Sequence, residues 1–200
     1  MVLSLFSYFY YYHFLVPTNA PPKLTQVNVG SVRLQWDFSQ VTSCGIYSNT
    51  ILYEDGNRTR REVLIPASNQ HVLTNLAPGV SYTFRVNADC VGSLAAYTNN
   101  VTDRLQEYPP SMPLNLEVKV TTAALEISWS PPAAPNGKLG NYLVTLNNIS
   151  EEIGGLNYSF FDLKPMTTYT ITIKAQTTAG YGPAASTVVT TDPTGMFGTS

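Results

Sequence analysis

The sequence predicts an all-β protein built from two copies of one small sandwich. The first observation is an internal repeat, LAPGVSYTFRVNA at 76–88 and LKPMTTYTITIKA at 163–175, with Leu, Pro and Tyr at matching offsets. The second is the period-two alternation of apolar residues, which is typical of half-buried strands. The third is regular punctuation by Gly and Pro, which marks turns and disfavours helices. Together they predict two tandem two-layer sandwiches.

Seven strands are predicted in the first copy. The alternating run VRLQW ends at Trp36, and an Asp-Gly turn at 55–56 separates two further runs. The repeat segment supplies a long strand in which every second residue from Tyr82 to Cys90 is apolar. The predicted strands are 24–29, 32–37, 47–54, 59–65, 70–74, 80–89 and 97–102.

The second copy repeats this order with clearer alternation. Its run LEISW ends at Trp129, and Tyr142 and Tyr169 each open a run with apolar residues at every second position. The predicted strands are 114–119, 124–130, 141–147, 149–153, 156–161, 167–177 and 185–191.

Each copy resembles a fibronectin type III module, a seven-stranded immunoglobulin-like sandwich of roughly 90 to 100 residues. The resemblance is carried by the tryptophan strands, the two Leu-x-Pro-x-x-x-Tyr turns, and SWSPPAAPNGKLGNYLVTL and AQTTAGYGPAAS in the second copy. It implies a tyrosine corner in each module, where a buried ring sends its hydroxyl to nearby backbone. The implied core residues are Trp36, Tyr82, Trp129 and Tyr169. The first copy departs from the family at Asn49, which aligns with Tyr142.

The predicted domain organisation separates two modules by a Pro-rich linker. The segments are an apolar leader at 1–20, a first module at 21–104, the linker at 105–112, a second module at 113–193 and a tail at 194–200. Three prolines between 109 and 113 favour extended geometry, so we expect a bent rod with restricted hinge motion. Because Asp192-Pro193-Thr194 resembles the start of another linker, we expect the chain to come from a longer array.

The leader begins with MVLSLFSYFYYYHFLV, an uncharged apolar run. A membrane span needs about 20 apolar residues, so the run is short for that role and resembles the core of a secretion signal. Against a signal stand the absence of Lys or Arg before the run, its many tyrosines, and Pro21 directly after the candidate cleavage site. A signal remnant and a mis-joined or disordered leader both remain open. In either case we expect the leader to lie outside the sandwich.

Both cysteines, Cys44 and Cys90, fall in the first module. Cys90 continues the inward phase of the sixth strand, and Cys44 lies in the loop between the second and third strands. In the implied topology these regions meet at one pole, so we expect a disulfide worth roughly 4 kcal/mol in the chain-entropy model. The alternative is two buried thiols that are not bonded to each other.

Four Asn-x-Ser/Thr sequons predict glycosylation at Asn57, Asn100, Asn148 and Asn157. Asn57 falls at a hairpin tip, Asn148 at the end of a strand, and Asn157 in the outward phase of its strand. Glycans at these three positions leave the core closed, and Asn100 lies near the end of the last strand of its module. The number of sequons is close to what chance gives for this composition, so the prediction rests on their placement.

Composition and motifs argue against catalysis and nucleic-acid binding. A net charge of −2 with 12% charged residues provides no basic face for nucleic acid. The cluster of Arg58, Arg60 and Arg61 is typical of a solvated hairpin edge, the alternative being contact with an acidic partner or a sulfated glycan. His13 lies in the leader and His71 is expected at a rim, outside any catalytic or metal-ligating pattern. We therefore expect no enzyme activity, cofactor, metal site or small-molecule substrate in this chain.

The leading functional prediction is non-catalytic recognition or spacing in the extracellular part of a cell-surface receptor, adhesion protein or receptor-type tyrosine phosphatase. The expected partner is a protein on a cell surface or in the matrix, with a membrane connection only through a segment of a longer parent protein. The rival class is an intracellular structural array of such modules, as in giant muscle proteins. Low charge and the cysteine pair disfavour that class.

The candidate contact in the second module is the turn Gly180-Tyr181-Gly182. The glycines are expected to leave the backbone exposed, and Tyr181 offers a rigid amphipathic anchor of the kind enriched at interfaces. The alternative is that this segment only forms the turn and packs Tyr181 against its neighbours.

Overall fold

The computed structural model describes residues 16–18, 20–41, 45–91 and 93–194. Within these ranges the helix and strand elements are all β-strands, which confirms the predicted all-β class. The described residues contain no helix long and apolar enough to cross a membrane.

The chain divides into two compact units. One contains the described residues of Val32–Leu73 and Ser81–Asp103 together with those up to Thr25. The other contains Gln26–Ser31, Thr74–Val80 and the described residues from Arg104 onward. The segment predicted as a linker therefore clusters with the second unit.

The first sandwich consists of a three-stranded and a six-stranded sheet. Its strands are β1 (Val16–Thr18), β2 (Lys23–Asn28), β3 (Ser31–Gln35), β4 (Ser48–Glu54), β5 (Thr59–Leu64), β6 (Gln70–Leu73), β7 (Ser81–Cys90), β8 (Ser93–Thr98) and β9 (Val101–Arg104). The smaller sheet has the order β2-β3-β6, and the larger has the order β1-β8-β7-β4-β5, with β9 also paired to β7.

Two parts of the first sandwich differ from the predicted strands. Val16–Thr18, assigned to the leader, form β1 and pair in parallel with β8, so these three residues belong to the sheet. The predicted last strand at 97–102 is two strands, β8 and β9, interrupted at Asn99 and Asn100. The pairing of β7 with β8 shifts register between Ala88 and Asp89, which is the irregularity that a β-bulge introduces.

The second sandwich consists of a three-stranded and a five-stranded sheet. Its strands are β10 (Leu114–Val120), β11 (Leu125–Ser130), β12 (Tyr142–Leu146), β13 (Ile149–Ile153), β14 (Asn157–Phe160), β15 (Thr168–Thr177), β16 (Gly180–Tyr181) and β17 (Ala185–Thr190). The sheet orders are β10-β11-β14 and β13-β12-β15-β16, with β17 also paired to β15. The seven predicted strands are all present, and β16 is the addition.

The core of each sandwich lies between its sheets and is formed by the alternating apolar residues. Trp36, Tyr82, Trp129 and Tyr169 are 7%, 1%, 5% and 9% exposed. In the second sandwich the Trp129 and Tyr142 rings meet edge to face, with centroids 5.4 Å apart. Burial of each such side chain contributes roughly 1.5–3 kcal/mol, so the aromatic residues make a large contribution to a small domain.

In one copy of the repeated turn, a tyrosine hydroxyl is hydrogen-bonded to the backbone. In the second sandwich the amide of Lys164 donates to the Tyr169 hydroxyl at 3.0 Å, five residues upstream, which is the geometry of a tyrosine corner. In the first sandwich the Tyr82 ring stacks against Phe84, with centroids 6.0 Å apart. The turn before Tyr169 is thereby tied to a buried ring.

Candidate functional site

The candidate contact turn follows β15, the longest strand of the second sandwich. The chain turns after Thr177 and returns as β16, in which Tyr181 pairs with Gln176 and Gly180 pairs with Thr177. Gly180 has a φ of +117°, which residues with a side chain rarely adopt, so the turn requires glycine here. The candidate turn is therefore a tight, regular hairpin.

Tyr181 is anchored through its hydroxyl. The hydroxyl donates to Glu152 Oε1 at 2.7 Å, and Asn141 Nδ2 donates to Glu152 Oε2 at 3.5 Å. The bond from Tyr181, followed by that from Asn141, lowers the pKa of the Glu152 carboxyl. The same bond raises the pKa of the Tyr181 hydroxyl, because a phenol that donates to a carboxylate retains its proton. The half-buried ring is thus neutral and held in one orientation.

The bond between Tyr181 and Glu152 crosses the outward face of the five-stranded sheet, from β16 to β13. Leu143 on β12 pairs with Glu152 on one side and with Lys174 on the other. These positions face outward because the residues that alternate with them along the strands are buried in the core. This face carries the Tyr181 ring, the Leu143 side chain, the Glu152 carboxylate and the Lys174 ammonium. Such a mixture of apolar and charged groups suits contact with a protein surface.

Gly182 does not have the exposed backbone that the sequence suggested. It is buried, and its amide donates to the carbonyl of Ala175 at 2.9 Å. A Cβ at this position would overlap the carbonyl oxygen of Pro110. A glycine in a sequence indicates either an exposed turn or a close approach of another backbone segment. At Gly182 it is the close approach. Sequence reasoning also missed Glu152, because nothing in its strand marks it as the partner of a tyrosine 29 residues away.

The sequon asparagines lie at the surface. The exposed positions are Asn57, Asn100, Asn148 and Asn157. Asn57 is at the hairpin between β4 and β5, and Asn157 lines a groove on the three-stranded sheet of the second sandwich. A glycan at Asn157 would cover that sheet and leave the face with Tyr181 open. Glycosylation stays a prediction.

Of the two cysteines predicted to form a disulfide, one lies among the described residues. Cys90 is the last residue of β7 and is 5% exposed. Cys44 lies outside the described residues, as does His13, so the Cys44–Cys90 pairing stays a prediction.

The polar residues at one edge of the first sandwich form a network on β4, β5 and β6. Glu62 accepts from the Tyr53 hydroxyl at 3.3 Å and lies 2.9 Å from His71 Nε2. Arg60 pairs with Asp55 at 3.2 Å and lies 5.8 Å from the centre of the Tyr53 ring. His71 is at a rim and Arg60 at a hairpin edge, where the sequence placed them. Across the described ranges, no cluster of three His, Cys, Asp or Glu is arranged to hold a metal ion.

Comparison with known proteins gives the family. The family model for the fibronectin type III domain matches residues 109–192. These residues form a fibronectin type III domain. A two fibronectin type III domain segment from chicken tenascin aligns with 86% of this chain and 98% of its own length, with a TM-score of 0.52 and 14% identity. The chain therefore has the fold of two fibronectin type III domains in tandem.

This chain is similar in sequence to parts of much longer proteins. Receptor-type tyrosine-protein phosphatase F of Rattus norvegicus is 26% identical over 185 residues, which is 86% of this chain and 10% of that protein. Phosphatidylinositol phosphatase PTPRQ of Homo sapiens is 28% identical over 193 residues, which is 92% of this chain and 8% of that protein. Fibronectin type III domains are generally non-catalytic, so the relationship concerns the scaffold.

Proposed function

We propose that this chain is a pair of non-catalytic recognition modules from the extracellular part of a cell-surface receptor or adhesion protein. The observation that carries the proposal is the similarity to receptor-type tyrosine-protein phosphatase F along 86% of the chain, an extent that includes both sandwiches. The exposed asparagines of the four sequons suit a glycosylating compartment. The phosphatase activity in the names of the relatives is not part of the proposal.

The mechanism is surface complementarity on a rigid scaffold. The tight hairpin and the bond from Tyr181 to Glu152 hold one aromatic ring against a sheet face in a fixed orientation. An anchor that is ordered before binding loses little conformational entropy when a partner docks. The partner is a protein on a cell surface or in the matrix.

The compartment is tested by producing the full chain in secreting eukaryotic cells. We expect a mass decrease on glycosidase treatment that is smaller in Asn148→Gln and Asn157→Gln, and a Cys44–Cys90 peptide that appears only without reductant. Retention in the cytosol, free alkylation of both cysteines and no glycan would contradict the proposal. That outcome would favour an intracellular structural array.

The recognition role is tested with purified full chain on intact cells and isolated matrix. We expect saturable binding, and a loss of affinity of about fivefold or more in Tyr181→Ala, which corresponds to roughly 1 kcal/mol. The matched control is Tyr181→Phe, which keeps the ring and removes only the bond to Glu152. Unchanged affinity in Tyr181→Ala with a lowered melting temperature would show that the turn is scaffold only.

A further inference from the structure

A short segment before β10 is hydrogen-bonded along its length to the second sandwich; we call residues 107–111 the strap. The amide of Tyr108 donates to the Asn136 carbonyl at 2.9 Å, and the amide of Ser111 donates to the Ala134 carbonyl at 2.9 Å. Asn136 Nδ2 donates to the Pro109 carbonyl at 2.9 Å, and the Ala134 amide donates to Ser111 Oγ at 3.2 Å. A free proline-rich linker has a solvated backbone, whereas this one is paired.

The strap also holds the start of the candidate contact turn. Thr177 Oγ1 donates to the Tyr108 carbonyl at 2.9 Å. The next residue, Thr178, donates twice to Glu107 Oε2, from its amide at 3.2 Å and from its hydroxyl at 2.7 Å. One carboxylate oxygen thus binds both the backbone and the side chain at the first residue after β15.

Glu107 is 6% exposed, which is unusual for a carboxylate. Its other oxygen pairs with Arg104 Nη2 at 3.3 Å, and the backbone amide of Lys138 donates to the same carboxylate. The charged residues that line a groove with it are Arg104 and Lys138. A carboxylate can be buried when it accepts several hydrogen bonds, and these bonds, led by that from the Thr178 hydroxyl, lower the pKa of Glu107.

Two glycines of the second sandwich make room for the strap. A Cβ at Gly137 would lie 2.8 Å from Cγ of Glu107, closer than real Cβ atoms approach their neighbours. A Cβ at Gly182 would overlap the Pro110 carbonyl oxygen. The strap is therefore packed against both the loop that precedes β12 and the turn that carries Tyr181.

We propose that the strap is an integral part of the second domain that fixes the conformation of the turn at 178–182, with Glu107 as the positioning residue. The strap connects the chain entering the domain to the turn that carries Tyr181, so displacement of the strap releases the turn. The effect of the strap on partner binding rests on the proposed function, whereas the control of the turn by the strap does not.

The carboxylate contact is tested by NMR titration of the Thr178 amide in the full chain. Because folding lowers the pKa of Glu107, the contact contributes above the ordinary glutamate value of 4.5 and is lost as the pH falls through the folded value. We expect the Thr178 amide resonance to shift below pH 4.5. Glu107→Gln abolishes this titration, and the matched control Glu152→Gln, at the other carboxylate bonded to the turn, leaves it intact. A Thr178 resonance that is flat until acid unfolding, or that titrates equally in Glu107→Gln, overturns the assignment.

Control of the turn is tested by hydrogen exchange. We expect Glu107→Ala to raise exchange at 178–182 by about tenfold, the change expected when a charge-assisted hydrogen bond is lost, with strands β11 and β12 unaffected. Gly182→Ala should do the same by displacing Pro110, with the carboxylate unchanged. Equal exchange in both variants and the parent overturns the strap's role, even when Tyr181→Ala shows that the turn binds a partner. Increased exchange with no partner binding contradicts only the recognition function.

Discussion

The two sandwiches fill one core position with opposite chemistry. Asn49 pairs with Ala88 in the first sandwich, and Tyr142 pairs with Ala175 in the second, so the two residues are structurally equivalent. Tyr142 packs against Trp129. The second sandwich therefore stabilises this position with aromatic contact, which needs no specific polar partner.

Asn49 is 1% exposed and relies on hydrogen bonds instead. It accepts from the Ser68 amide at 2.8 Å and donates to the Asn87 carbonyl at 3.4 Å. An open groove beside this position is lined by Trp36 and Asn49 among others. The same fold thus tolerates a polar residue at a core position when the backbone on both sides supplies partners.

The edge strands β6 and β14 of the two three-stranded sheets differ in the same way, with polar contacts in the first sandwich and aromatic contacts in the second. In the first, His71 and Glu62 join strands of opposite sheets through a contact of 2.9 Å. In the second, Tyr158 holds the position equivalent to His71, and its ring lies edge-on to Phe160 with centroids 5.0 Å apart. The first sandwich is held at this edge by polar pairs and the second by aromatic rings, so substitutions at matched positions should have unequal effects.

The largest expected effect is that of Trp129→Ala. Loss of the indole removes its contact with Tyr142 and leaves a cavity, which costs on the order of 3–5 kcal/mol and much of the stability of a small domain. Calorimetry should show two transitions, of which only that of the second sandwich falls. Trp36→Ala, the matched control, should move the other transition. A shift of both transitions by either variant would contradict independent cores.

Asn49→Ala should destabilise the first sandwich by about 1–3 kcal/mol, because the Ser68 amide loses its acceptor in a buried site. Denaturant unfolding of the full chain measures the change. The matched substitution Tyr142→Phe keeps the ring and should cost less than about 1 kcal/mol. Equal losses of unfolding free energy in the two variants would contradict the contrast between a polar and an aromatic residue at this core position.

Tyr169→Phe should destabilise the second sandwich by about 1 kcal/mol, since it removes one hydrogen bond from the Lys164 amide. Hydrogen exchange at Lys164 should increase, while Tyr158→Phe at the sheet edge should leave it unchanged. Protection of Lys164 in Tyr169→Phe would show that the corner does not depend on the hydroxyl.

The smallest expected effect concerns His71 and Glu62, whose side chains are 30% and 38% exposed. A double-mutant cycle with Glu62→Gln and His71→Gln should give a coupling of roughly 0.2–1 kcal/mol, as for other exposed pairs of side chains. A coupling several times larger would contradict a weak, solvent-exposed contact at this edge.

The sequence predicts the architecture well because its strongest signals are local. Alternation around Trp36 and Trp129 and the repeated turns fix strand order without any knowledge of distant contacts. By contrast, β1 lies within an apolar leader whose composition gives no period, and the break between β8 and β9 depends on register. These features come from pairing with strands elsewhere in the chain.

The site is less predictable because its contacts join distant parts of the chain. Proline composition is the same for a free linker and for a packed strap, so Glu107 looks like one solvated charge among others. Its role depends on Thr178, 71 residues away. The glycine at 182 carried a signal for close approach, but sequence alone does not separate that from an exposed turn.

The strap sets a limit on how this domain can be moved between proteins. The family match begins at residue 109, two residues after Glu107. A fragment cut at that boundary, or at the predicted start at 113, would keep every strand of the second sandwich and lose the carboxylate that holds Thr178. A chimera that preserves the turn therefore needs more of the chain than the strands alone, beginning upstream, at Arg104.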